Sequence, residues 1–290
     1  MELRVLKYFL AVAREQNITA AAESLHVTQP TLSKQLMDLE TDLGCKLFER
    51  GKRKITLTEE GVFLRQRAQE IVDLAEKTEA AFVSTHETVT GDVYIGCGET
   101  QGMRGIIKIM KLMQDTHPDV RFHLYSGNDE DVSERLETGL VDFGLFVGST
   151  RLEKYDYIKL PVHDVWGLLL RKDDPLAKQE GIRPKDLENV PLLCSRQALA
   201  HNEFSGWLGK DFSKLRIRST HNLLFNASLM VEEGLGCALA IEGLVNTADR
   251  NLTFRPFEPA VKADLVFARK KYRVLSKAAE LFLQYLQKYL

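Results

Sequence analysis

Between Lys46 and Lys54 five cations (Lys46, Arg50, Lys52, Arg53, Lys54) stand against one carboxylate (Glu49), a local excess of about +4. The stretch CKLFERGKRKITLT puts a Gly-containing turn between two short strand-like pieces, which makes it a hairpin with a basic tip. Charge at that density neutralises several phosphates and makes any binding to nucleic acid strongly salt-dependent. The chain as a whole is nearly neutral, with a formal charge of −2, so bulk attraction to nucleic acid is excluded and only a local patch can act.

Helical periodicity precedes the hairpin. Leu3, Leu6, Leu10 and Ala13 form one apolar stripe on a helix from Leu3 to Arg14. Asn17-Ile18-Thr19 supplies an N-cap, assigned to Thr19, for a short Ala-rich helix through Leu25. After His26-Val27 a third helix is expected, capped by Thr28, tolerating Pro30 in its first turn, and ended by Gly44. Its buried edge reads Leu32, Leu36, Leu39, Leu43, and its opposite edge carries Gln29, Thr31, Ser33, Lys34 and Gln35. Amides, hydroxyls and one cation at a helix N-terminal half suit base edges and phosphates in a major groove, although such a face alone is also what plain solvation produces. Three helices followed by a basic wing make a winged helix-turn-helix over residues 1–58.

The segment ITAAAESLHVTQPTLSKQLMDLETDLGCKLFERGKRKITLTEEG resembles the DNA-binding signature of the LysR family, and the match covers roughly residues 3 to 61. The resemblance implies that Thr28, Gln29, Pro30, Thr31, Ser33 and Lys34 meet DNA in the major groove. It implies that Arg50 and Arg53 on the wing contact backbone and minor groove. Lys34 departs from the arginine many members carry there; an ammonium lacks the bidentate fork, which points to a phosphate contact in place of a guanine reader.

Thr58 caps a further helix, with Glu59 and Glu60 in the first turn where the helix dipole favours negative charge. Leu64, Ala68, Ile71, Ala75, Thr78 and Phe82 step along it by four, three, four, three and four, the seam of a coiled coil. A second chain is the expected partner, packing against the chain's own next domain being the alternative. The resemblance implies a homodimer through this linker (residues 59–90 with its hinge), a homotetramer through the following domains, and a pseudo-palindromic double-stranded operator.

From Gly91 the pattern turns to β-α-β-α-β: strands over Asp92 to Cys97, Val120 to Tyr125 and Val141 to Val147, and helices around Ile106 to Met113 and from Asp129 to Thr138. Such alternation predicts a parallel sheet with its ligand site beyond the carboxyl ends of the strands. After Pro161 a second set begins: strand Val165 to Leu170, strand Val190 to Cys194, a helix near Ala200 to Asp211, strand Leu215 to Ile217, helix Asn222 to Glu233, strand Cys237 to Ile241. Strand Ala263 to Ala268 and helix Ser276 to Leu290 close the chain. This resembles the bilobed type 2 periplasmic-binding-protein architecture of LysR effector domains. The resemblance implies an effector-binding domain over 91–290, with lobe I at 91–161 and 265–290 and lobe II at 162–264. The overall class is α/β.

Candidate effector contacts are Thr100 and Gln101 after the first strand, Asn128 after the second, Phe146 on the third, and Ser195 and Phe204 in the second lobe. Hydroxyls and free amides at helix N-termini suit an anion, and Arg196 beside Ser195 suits an acidic effector, while simple capping or solvation explains the same residues. No cofactor is expected beyond an unidentified small-molecule effector. Cys45, Cys97, Cys194 and Cys237 lie far apart without metal spacing; buried thiols are the plain reading, and thiol-based redox sensing stays open without an adjacent resolving pair.

An enzyme would need a nucleophile with its base, a metal cluster or a phosphate-cradling loop, and none is legible. Gly96-Cys97-Gly98 lacks the third glycine of a dinucleotide site, since position 101 is Gln101. A periplasmic solute carrier would need a secretion signal and no reading head. The charged N-terminus MELRVLKYFLAVAREQ and the lack of a membrane-length apolar run place the protein in the bacterial cytoplasm, away from the membrane.

Overall fold

The computed structural model describes residues 1–50, 54–83, 89–148, 152–200, 204–209 and 215–290. The chain divides into two units, Met1–Val83 and Ser84–Leu290.

In the first unit, α1 (Leu3–Glu15), α2 (Ile18–Ser24) and α3 (Gln29–Leu43) precede a two-stranded antiparallel wing, β1 (Phe48–Arg50) and β2 (Ile55–Leu57), and a long helix, α4 (Glu59–Val83). The core face of α1 is Val5, Leu6, Phe9 and Val12, with Leu3, Leu10 and Ala13 only half-buried, so the expected stripe is rotated toward the aromatic Phe9. Asn17, not Thr19, caps α2: its side chain accepts the amides of Thr19 and Ala20 at 2.8 and 3.1 Å. Thr28 caps α3 and Gly44 ends it at φ 68°, a left-handed conformation that glycine adopts without strain. Leu32, Leu36 and Leu39 are buried, but Leu43 is 42% exposed because the helix end overshoots the core.

Helix α4 splits the expected seam. Leu64, Ala68 and Val72 are buried against the chain's own three helices, and Lys7 on α1 pairs with Glu76 at 2.8 Å. Ile71 is 41% exposed and falls on a different face with Phe63 and Leu74. Part of the seam is therefore core of the first unit, a partner that neither reading of the seam named. The backbone approach is close: a Cβ on Gly61 would collide with the Leu47 carbonyl, so α4 can start there only on a glycine.

The second unit is a mixed sheet with helices on both faces. Its strands are β3 (Gly91–Cys97), β4 (Val120–Ser126), β5 (Phe143–Val147), β6 (Tyr155–Arg171), β7 (Leu192–Ser195), β8 (Ile217–His221), β9 (Cys237–Ile241), β10 (Leu252–Pro256) and β11 (Lys262–Lys270). They order β4-β3-β5-β11-β6-β9-β7-β8, with β10 also on β6. β3 pairs β4 and β5 in parallel, as the alternation over residues 91–147 predicts, and β7 pairs β8 and β9 in parallel, while β11 and β6 join the two sets with antiparallel ladders. β6 runs through Pro161 unbroken: its first half pairs β11 and its second half pairs β9 and β10, so the second set opens midway along one strand. Strand β10 was not foreseen, and the strand expected at Leu215 to Ile217 lies later, at β8. The helices are α5 (Met103–Thr116), α6 (Asp129–Thr138), α7 (Arg196–Ala200), α8 (Ser205–Leu208), α9 (Leu224–Glu232) and α10 (Lys277–Tyr289). Where described, the helix expected near Ala200 to Asp211 is two short ones, α7 and α8. Apolar clusters on both faces of each half form separate cores, one around Phe143, Phe267 and Phe282, another around Leu168, Cys194 and Leu239.

Candidate DNA interface and ligand cleft

At the start of α3, Thr28, Gln29, Pro30, Thr31 and Lys34 are exposed and Ser33 is half-buried. Thr28 and Thr31 share a hydroxyl hydrogen bond of 2.8 Å, which fixes the first turn. Ser33 borders a shallow groove with Phe48 and Ile55 of the wing, so the polar edge of α3 and the ribbon lie side by side. Arg50 ends β1, opposite Ile55; Arg53 lies outside the described residues.

What holds the ribbon against the helix is Glu40, which the sequence reading passed over. Its carboxylate accepts the amides of Leu47 and Phe48 and the ammonium of Lys46, the last at 2.7 Å. Burial opposes the charged form, but the bonds from Lys46, Leu47 and Phe48 together outweigh it and hold the Glu40 carboxyl below its ordinary range. Lys46 is thereby spent on Glu40. The other end of the ribbon is fixed by the Ile55 amide donating to the Gln16 carbonyl at 3.0 Å.

In the second unit a cleft of about 690 Å³, counted to its open mouth, lies between the half built on β3, β4 and β5 and the half built on β7, β8 and β9. Its walls are chiefly apolar: Val132, Leu145, Phe146, Leu239, Ile241 and Leu244. Of the residues expected in it, Asn128, Phe146 and Ser195 line it. Asn128 spends its side chain on the amide of Asp131 in a capping box, and Ser195 accepts the Ala198 amide at 3.0 Å. Phe146 is buried and stacks on Tyr155.

Thr100, Gln101 and Phe204 are placed elsewhere. The Thr100 hydroxyl accepts the Gly102 amide and bonds Asp164, whose carboxyl burial pushes above its ordinary value. Gln101 bridges the halves outside the cleft wall, donating to the Gly243 carbonyl at 2.6 Å and accepting from Arg104. Phe204 is 1% exposed and packs edge-on against Trp166 and Phe257, an aromatic core residue instead of a contact. Arg196 is exposed and does not line the cleft.

Glu99, just after the first strand, also lines the cleft, and among the polar lining residues that were not expected are Trp166, Gln197 and His221. The Leu224 amide at the start of α9 donates to Glu99 across the cleft at 2.6 Å, and the Asp129 amide at the start of α6 donates to Gln197 at 3.1 Å. Trp166 Nε1 and both ring nitrogens of His221 are buried; Trp166 Nε1 has no hydrogen-bond partner, and the His221 ring has only the Leu223 backbone beside it. Burial pushes the His221 imidazole below its ordinary pKa, only partly offset by the Leu223 backbone, so it is neutral at pH 7. Cys97, Cys194 and Cys237 are buried, and burial pushes the thiols of Cys194 and Cys237 up to about 12. Among the described residues, no group of metal-ligating side chains and no helix long and apolar enough to cross a membrane is present.

Comparison with known proteins bears on both regions. Residues 3–62 match the family described as "Bacterial regulatory helix-turn-helix protein, lysR family", and residues 86–290 match "LysR substrate binding domain". The chain is 30% identical over 278 residues to the Hca operon transcriptional activator HcaR of Escherichia coli (strain K12), covering 93% of this chain and 92% of that one. It is 26% identical over 287 residues to the uncharacterized HTH-type transcriptional regulator YvbU of Bacillus subtilis (strain 168), covering 98% and 97%. Among solved structures, full-length CbnR in complex with its target DNA matches with a TM-score of 0.72 at 19% identity over 100% of both chains.

Proposed function

The chain belongs to the LysR family of DNA-binding transcriptional regulators, and from that premise we propose that it reads a pseudo-palindromic operator as a homodimer or homotetramer under control of a small molecule held in the cleft. It is not an enzyme. The observation that carries the DNA-reading proposal is the Glu40 clamp, which sets the polar edge of α3 beside the basic ribbon as one surface. Thr28, Gln29, Pro30, Thr31, Ser33 and Lys34 enter the major groove, and Arg50 and Arg53 flank it on the backbone and minor groove. The DNA complex known for CbnR supports that reading. The exposed stripe Phe63, Ile71 and Leu74 on α4 is the dimer seam, so two reading heads meet two half-sites. The protein works in the cytoplasm and needs no cofactor.

A ligand shifts the closure of the two halves or the packing of subunits and so the spacing of the reading heads. At Cys194 and Cys237 burial, which holds the thiols protonated, weighs against the redox alternative, since the thiolate is the form that reacts with an oxidant. The test is selection of operators from a genomic fragment library by the full chain, followed by gel retardation at modest salt. An inverted-repeat site retarded at nanomolar protein is the expected result; no retarded fragment at any salt overturns the reading.

A further inference from the structure

We infer that the cleft takes an uncharged, largely apolar molecule bearing a hydroxyl or carbonyl group, and that Glu99 is the residue that turns carboxylates away. This rests on the cleft being the effector site, as proposed above.

An anion entering an interlobe cleft needs donors, and the strongest available are the free amides at helix N-termini. The two longer helices that begin at this cleft are α6 and α9, and in each the first amide is already taken by the chain itself. The N-terminus of α9 has no capping side chain of its own; the Glu99 carboxylate reaches from the opposite half and accepts its Leu224 amide. The Asp129 amide of α6 is taken by Gln197, and the Asp131 amide by Asn128. Glu99 thus occupies the position an acidic ligand would occupy and adds like charge against it.

The remaining lining points the same way. Among the described residues no Lys or Arg lines the cleft, whereas Glu99 does. A second negative charge placed there in low dielectric, without a counter-cation, carries a desolvation cost that nothing repays. The polar capacity facing it is neutral: the side chains of Asn128, Ser195, Gln197 and Asn222 line the cleft, and the buried Trp166 N–H, a donor only, has no partner. A carbonyl or hydroxyl oxygen satisfies Trp166, and apolar walls around Phe146, Leu239 and Ile241 accept the rest of the molecule.

Three matched pairs test this on the full chain: benzoate and benzamide, hexanoate and hexanamide, indole-3-acetate and indole-3-acetamide, by thermal shift and calorimetry. At least one amide is expected to bind tenfold or more tightly than its carboxylate. Glu99→Gln keeps an oxygen for the Leu224 amide while removing the charge, and Glu99→Ala frees that amide; both are expected to shrink the ratio to threefold or less. Equal or tighter binding of carboxylates to the unaltered chain overturns the inference, as does an unchanged ratio in both variants, or binding of none of the six while operator binding persists. Asn222→Trp, at the exposed mouth, separates the two readings. If it abolishes binding of carboxylates that outcompete amides, the cleft stands as effector site and the charge class falls; amide binding untouched by it overturns both.

Discussion

Glu40 on α3 and Leu47 at the foot of the wing hold each other through a 2.9 Å hydrogen bond from the Leu47 amide to the carboxylate Oε1. The bond joins the helix that carries the proposed reading residues to the ribbon whose sequence carries the basic tip. Their mutual placement therefore rests in part on the Glu40 side chain, beside the Ile55 amide's bond to Gln16.

Glu40→Ala leaves two amides without an acceptor in a partly buried place, which costs about 1–3 kcal/mol of stability. Operator affinity falls further than stability alone explains, while Glu40→Gln, which keeps one acceptor, loses less of both. Because the Glu40 carboxyl lies below its ordinary value when folded, its contribution is present above the ordinary glutamate pKa of about 4.3 and is lost as pH falls through the lowered value. Urea unfolding of the full chain and of the Ala variant should then converge on acidification. Curves that stay parallel down to the acid limit would remove the clamp from the account.

Lys34 is exposed near the start of α3, and an ammonium contacts phosphate as a point charge. Lys34→Ala should weaken binding to operator and unrelated DNA alike and reduce the slope of log K against log salt by about 1. Gln29→Ala, by contrast, should cost about 1–3 kcal/mol on the operator only. A Lys34→Ala variant that relaxes base preference instead would make Lys34 a base reader.

Phe63 is 68% exposed, Ile71 41% and Leu74 36%, apolar groups that the chain's own core leaves uncovered. Leu74→Glu should convert the dimer to monomer in sedimentation velocity with unchanged far-UV circular dichroism, and lower operator affinity at least tenfold. The Leu64→Ala change works on the other face and should unfold the first unit by about 2–5 kcal/mol. Dimers persisting in Leu74→Glu would move the interface off this stripe.

Cys97, Cys194 and Cys237 are buried and Cys45 is half-buried, which fixes how a thiol reagent sees the native chain. Ellman's reagent should label Cys45 first, and the other three only on unfolding. Hydrogen peroxide at concentrations that oxidise Cys45 should leave operator affinity within twofold. A rapid loss of all four thiols in the native state would reopen redox sensing.

The first unit was legible because each element is announced locally: Thr28, Pro30 and Gly44 bracket α3, and leucines mark its inner edge. What failed there was geometry between elements, such as Glu40, whose partners are seven and eight residues away. Likewise α4 carries apolar residues on two faces, and spacing alone cannot say which is spent at home. In the second unit the second set reads as beginning after Pro161, yet that residue sits within β6, a strand that changes partners midway and so shows no uniform period. Thr100 and Gln101 looked like ligand groups because they are polar and follow a strand. Both are consumed by bonds to Asp164 and Gly243, far off in sequence, while Trp166 and His221 carry no local mark of the cleft they line.

Asp164 offers a titration with the opposite sign to Glu40. It lies on β6 where that strand passes between the halves, it is 6% exposed, and its Oδ2 is buried with no partner. Burial raises its carboxyl above the usual aspartate value, against weaker lowering by the Thr100 hydroxyl and the His163 charge. A native state that holds its proton longer than the unfolded chain is favoured below the ordinary aspartate pKa and loses that advantage as pH climbs through the raised value. Asp164→Asn removes the ionisation while keeping an oxygen for Thr100. At neutral pH the Asn variant should be more stable than the unaltered chain, by about 1 kcal/mol as expected for an uncharged amide in place of a buried, incompletely bonded group. Below the ordinary aspartate value the two should converge, since both then carry a neutral side chain. Thermal unfolding of the pair across that range decides the matter: a stability difference independent of pH would mean that Asp164 stays ionised or stays protonated throughout and takes no part in the pH response of the fold.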